Sequence, residues 1–238
     1  MTTYVLLLLA VILVGIPSIF IVNKFPKIRL VFQIVFAVLI VVLSYLLFLN
    51  INKPIKFERH LKMRSEATIE RLIDIRQIQG SFKDKHNRYT ASFDTLIHFV
   101  QTDSFAIDNI VEVTPGAWKQ DEITKEEAIK LGILQKSVAY VSVKDSLWKA
   151  KNYDITNIRY VPYTENIEFT MGAAELETAS KVKVKVFECY ARYIDLLNGL
   201  DKQLISNFID EKTKYGGFEG IRVGSLTETT NNAGNWEK

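Results

Sequence analysis

A single cysteine, Cys189, in 238 residues excludes an intrachain disulfide framework and any zinc site built on thiolates. The three histidines, His60, His86 and His98, stand at no metal-ligand spacing from one another or from a paired carboxylate motif, so they read as surface or interface side chains. Gly216-Gly217 and Val223-Gly224-Ser225 lack the spacing of a phosphate loop or a nucleophile elbow and read as turn and strand-end residues. Asp121-Glu122 and Glu126-Glu127 resemble paired general acids only superficially; they sit at a helix start, where negative charge complements the macrodipole. Lysines are scattered rather than clustered with aromatics, and the net charge is only +3, which leaves nucleic-acid binding without support. No catalytic, cofactor-binding or metal-ligating set emerges, and the expectation is a protein that is not an enzyme and carries no cofactor.

Charge is also missing from two long apolar runs, residues 4–22 and 30–51. A helix rises about 1.5 Å per residue against a hydrocarbon core of about 30 Å, so each run is long enough to cross a bilayer. Met1-Thr2-Thr3 holds no Lys or Arg, and no small-x-small site follows Val22, so retention of the first run is expected over cleavage as a signal. Gly15 and Pro17 interrupt that run tolerably, because a neighbouring helix or Ser18 can satisfy the freed backbone. Gln33 and Ser44, the main polar groups of the second run, have hydrogen bonds across the hairpin or to their own helix as their simplest role. The lack of ionisable groups argues against a transport path. The expectation is a transmembrane hairpin over residues 1–52. Its orientation is balanced: the linker Lys24, Lys27 and Arg29 contains no acid, yet Lys53, Lys56, Arg59, Lys62 and Arg64 follow the second run with only Glu58 against them.

Residues 53–85 read as an amphipathic stalk helix. Leu61, Thr68, Leu72, Ile75 and Phe82 form a stripe that Ile69 and Ile73 widen, and Glu66, Glu70, Arg71, Asp74 and Arg76 take much of the remaining surface. Pro54 is expected to mark a kink or a fresh start, and Gly80 with the polar run at 83–87 to close the helix. Ser92 caps a short helix through about Val100, with Phe93, Leu96, Ile97 and Val100 available to a core.

Residues 86–230 read as an α+β soluble domain, an antiparallel sheet covered by helices. Residues 105–113 suggest a strand ending before Thr114-Pro115-Gly116. Thr124 and Glu127 make a capping box with Ile123 packing across it, and Gly132 ends that helix. Residues 138–143 suggest a strand with both faces substantially buried. Ile167, Phe169 and Met171, then Val182, Val184 and Val186, alternate with polar residues as half-wet strands. One helix from Tyr193 to about Lys212 supplies the cover, its stripe of Ile194, Leu197, Leu204 and Phe208 outweighing the penalty of about 1 kcal/mol for Gly199. Tyr215-Gly216-Gly217 breaks it, Ile221-Arg222-Val223 adds an edge strand, and residues 231–238 form a polar tail in which Trp236 docks a partner, packs on its own domain or stays mobile.

Residues 69–79, with Phe82-Lys83-Asp84-Lys85 and Arg88-Tyr89-Thr90, resemble the membrane-proximal part of an uncharacterised family of Gram-negative envelope proteins; residues 223–228 and 231–237 resemble that family's tail. A looser architectural likeness is to type IV pilins and type II secretion pseudopilins, without their prepilin peptidase pattern. The family resemblance implies an N-terminal inner-membrane anchor and an external, periplasmic domain, with the second run as the shared anchor, and it supplies no active site. The functional expectation is a membrane-anchored envelope scaffold whose partners are the lipid bilayer and other envelope proteins or a second copy, with the stripe Leu61, Leu72, Ile75 and Phe82 and the tail's Trp236 as contact residues. The alternative is a periplasmic sensor or a module binding cell wall or a small ligand; an enzyme with an unrecognised site is third.

Overall fold

The computed structural model describes residues 29–113, 116, 118–119, 123–178 and 180–237. The expected first span, residues 4–22, lies outside them, as do the linker up to residue 28, Thr114-Pro115 and the acidic pair Asp121-Glu122. The chain divides into two units, Met1–Arg59 and His60–Lys238.

Helix α1, Arg29–His86, carries the second apolar run. Between Val31 and Ile51 most of its described large apolar side chains stand open, Val41 at 68% and Phe48 at 63% exposure, and among the described residues it is the one helix long and apolar enough to cross a membrane. Pro54 lies inside α1, which corrects the expected fresh start there. A single proline removes one backbone donor, and the helix-forming residues on both sides are sufficient to carry the helix past it.

In the second unit, α1 buries Thr68, Leu72, Ile75, Ile78, Gln79 and Phe82. Two expectations about its faces need correction: Ile73, placed in the stripe, is 38% exposed, and Asp74, placed on the wet surface, is 2% exposed. The helix closes where Asn87 turns to φ +52 and donates its N–H to the Lys83 carbonyl at 2.7 Å. Ser92 caps α2, Phe93–Thr102, by accepting from the Thr95 N–H, and Phe93, Leu96, Ile97, Phe99 and Val100 enter the core.

Strands β1, Ser104–Glu112, and β2, Leu134–Ser142, form a two-stranded antiparallel ribbon running in register from Ser104↔Ser142 to Glu112↔Leu134. Between them α3, Lys125–Lys130, starts at the expected capping box of Thr124 and Glu127 and stops at Gly132, φ +75. The expected burial of both faces of β2 is wrong: Val138 and Tyr140 are 50% and 74% exposed. A continuous apolar run resembles a buried strand, but a sheet of two strands has no inner position to bury it in. After β2 come α4, Val143–Leu147, and a 3-10 turn, Ile155–Arg159.

A second antiparallel sheet has the order β3-β4-β5, with β3 Thr170–Glu177, β4 Lys183–Arg192 and the expected edge strand β5 Gly220–Gly224. Ile167 and Phe169 precede β3, tied in by the Tyr160↔Glu168 bridge. Phe187, Cys189 and Ala191 of β4 are buried along one face. The single helix expected after β4 is two: α5, Tyr193–Leu196, and α6, Lys202–Thr213. The first stops at its C-cap Leu197, Gly199 at φ +85 turns the chain after it, and Asp201 caps the second by accepting from the Gln203 and Leu204 N–H groups. Gly199 could have been carried inside a helix at modest cost, but Gly-Leu-Asp also supplies a left-handed residue and an N-cap, and those lower the cost of breaking. The result is an α+β fold of a long N-terminal helix and two small antiparallel sheets.

Candidate functional site

Arg71, Ile75, Ile78 and Phe82 recur at intervals of four, three and four, so Arg71 lies in line with three buried side chains of α1, one turn from Asp74. The segment after α4 supplies the facing groups. Lys151 Nζ donates to one oxygen of the Asp74 carboxylate and forms its ion pair, and Tyr153 Oη donates to the other at 2.7 Å. The Arg71 guanidinium lies over the Tyr153 ring, 3.7 Å from its centroid, and donates to the Asn157 carbonyl. Trp148 meets the same ring edge-on at 4.9 Å while its indole N–H donates to the Tyr153 carbonyl at 3.0 Å. Two donors on a carboxylate and a cation over a ring are what a buried Asp needs to remain in a folded interior.

These groups border an open groove of about 480 Å³ lined by Ala67, Glu70, Arg71, Lys151, Tyr153 and Tyr163, among others. Burial pushes the Tyr153 phenol well above its usual range, helped by its hydrogen bond to Asp74, so it acts as a neutral donor and not as a base. Desolvation lowers Arg71, which stays cationic because arginine starts so high. The groove is thus lined by two cations, Arg71 and Lys151, and one acid, Glu70.

The C-terminal tail forms a second polar assembly. Arg76 Nη1 pairs with Glu237 at 2.7 Å, Asn232 Nδ2 donates to Tyr89 Oη at 2.7 Å, and the Asn235 side chain donates to the Gly220 carbonyl and accepts from the Arg222 N–H. Gln79 extends the pattern by donating to the Thr90 carbonyl and accepting from its N–H, as a strand would. Residues 76–79, 89–90 and 232–237, far apart in the chain, therefore meet in space.

Of the expected contact residues, Leu72, Ile75 and Phe82 are spent in the core at 3% exposure or less, Leu61 is half-buried, and Trp236 is half-buried over Gly234, where a Cβ would meet its indole at 2.4 Å. Cys189 is fully buried and its thiol is pushed up by desolvation, which makes it unreactive. Asp74, Lys151 and Tyr153 were not anticipated; the signal within α1 was Arg71 occupying a stripe position. Among the described residues no group of three or more His, Cys, Asp or Glu side chains is arranged to hold a metal ion. Compared with protein-family models, curated proteins and solved structures, the chain matches none.

Proposed function

We propose that this chain is a non-enzymatic component of a Gram-negative cell envelope, held in the inner membrane by two passes, with its α+β unit on the periplasmic side binding other envelope proteins or a second copy of itself. The observation that carries the reading is the open apolar surface of α1 from Val31 to Ile51. Water opposes such surface at roughly 25 cal/mol per Å², whereas lipid tails accept it. The resemblance of residues 69–79 and 231–237 to an envelope family supports the side of the membrane. Alkaline carbonate is expected to leave the full chain in the vesicle pellet, and release into the supernatant would overturn the anchor. A reporter active only outside the cytoplasm is expected to work after Lys238, and a cytoplasm-only reporter within residues 23–29; the reverse pattern would overturn the orientation.

The groove beside Asp74 favours a second reading, a module that binds a small polar ligand. A thermal-shift screen against wall fragments and metabolites tests it: a hit that is lost in Arg71→Ala supports it, and a hit unaffected by that substitution places binding elsewhere.

A further inference from the structure

With Leu72, Ile75 and Phe82 used internally, the β1–β2 ribbon still keeps large apolar side chains open, Ile107, Val111, Val138 and Tyr140 among them. The register and the bonds Val113 N–H to Ile133 O and Val143 N–H to Asp103 O place the odd-numbered residues of β1 in the hydrogen-bonded pairs. The N–H and C=O groups of the even-numbered residues therefore point outward: Ser104, Ala106, Asp108, Ile110 and Glu112 on β1, and Leu134, Lys136, Val138, Tyr140 and Ser142 on β2. The two edges differ. Lys85 Nζ already donates to the Ser104 carbonyl, and a two-fold pairing of β1 that uses all five outward residues sets Asp108 against its own copy. On the outer edge of β2 the two ends are covered, Leu134 at 3% exposure and Ser142 as the N-cap of α4, while Lys136, Val138 and Tyr140 between them are exposed and make no backbone hydrogen bond outside the ribbon among the described residues; the one charge is Lys136.

We infer that a second copy of this chain pairs antiparallel with the outer edge of β2, about a two-fold axis through Val138, making a four-stranded sheet β1-β2-β2-β1 across the two copies. This is the register that pairs the three exposed outward residues of β2: Lys136 faces Tyr140, and Val138 faces itself. It keeps Lys136 from its own copy, lays its aliphatic stem on the 74% exposed Tyr140 ring and leaves its ammonium with Asp108, 2.8 Å away in its own chain. Val138, half exposed in one copy, becomes central in two. The buried area of one strand pair is below that of a standard stable interface, so pairing is favoured where two copies share a bilayer and their effective concentration is high. The inference rests on the membrane reading for that enhancement and names the partner that reading leaves open.

The test uses the full chain in membrane vesicles. Opposed residues of a hydrogen-bonded antiparallel pair lie about 5.5 Å apart at Cα, within disulfide range, and the buried Cys189 adds no background. Under mild oxidation Val138→Cys is expected to give a disulfide-linked dimer as the main species, while Ile110→Cys on β1 does not. Lys136→Cys and Tyr140→Cys chains are expected to crosslink when mixed and not alone, and adding Val138→Lys to both is expected to abolish that crosslink without changing the melting temperature. Equal crosslinking by Ile110→Cys, no dimer from Val138→Cys, or a Val138→Cys thiol shielded from a soluble maleimide in a monomeric chain would each overturn the pairing. Carbonate extraction of the same vesicles separates the two claims: a retained chain that does not crosslink removes only the pairing, and a released chain that does crosslink removes only the anchor.

Discussion

Asp74 sits between Ile73, which is open to water, and Ile75, which is not, and it goes inward because Lys151 and Tyr153 meet it there. Losing the Tyr153 hydroxyl leaves one carboxylate oxygen a donor short, so Tyr153→Phe is expected to lower stability by about 1–2 kcal/mol, measured by urea unfolding. The same substitution has a pH signature. The folded-state phenol titrates above its unfolded value of about 10, so the stabilisation it contributes is complete below that pH and is lost as pH rises beyond it. Wild-type stability is expected to fall with alkalinity more steeply than that of the phenylalanine variant; parallel slopes would mean that Tyr153 is not held in the protonated form.

The break between α5 and α6 was the element least accessible to periodicity, since Leu197, Leu200, Leu204 and Phe208 keep helical spacing straight across it. Apolar spacing reports which residues seek the core, not whether the backbone between them stays helical. Gly199 separates the two outcomes by sign. In a continuous helix Gly199→Ala would stabilise by about 1 kcal/mol, whereas at φ +85, with open space around its Cβ, it is expected to destabilise by about 1–2 kcal/mol from left-handed strain alone. A melting temperature that rises in this variant would restore the single helix. The ribbon shows the complementary limit: β1 and β2 were legible as strands, but their exposure depends on how many strands the sheet contains.

Within the second unit the tail joins residues far apart in the chain, Arg76 to Glu237 and Tyr89 to Asn232. Arg76 holds the Glu237 carboxyl below the usual carboxylate range, so the attachment is intact above that range and is lost as pH falls through the lowered value. Arg76→Ala is expected to release the tail at neutral pH, raising amide exchange at Asn235 and Glu237 several-fold while the exchange of β4 amides stays unchanged. Unchanged exchange at those two amides would place the tail's hold in Asn232 and Asn235 instead.

The apolar length of residues 30–51, the caps at Ser92 and Thr124, the glycine stop at 132 and the edge strand at 221–223 were readable from the chain alone, because each is set by neighbours within one or two turns. The burial of Asp74 and the hold on the tail depended on which distant residues arrive opposite them, and the openness of β2 on how many strands its sheet contains. Lys151 is 77 positions from Asp74 and Glu237 is 161 from Arg76, and no local pattern carries the energy of a contact made across such a separation.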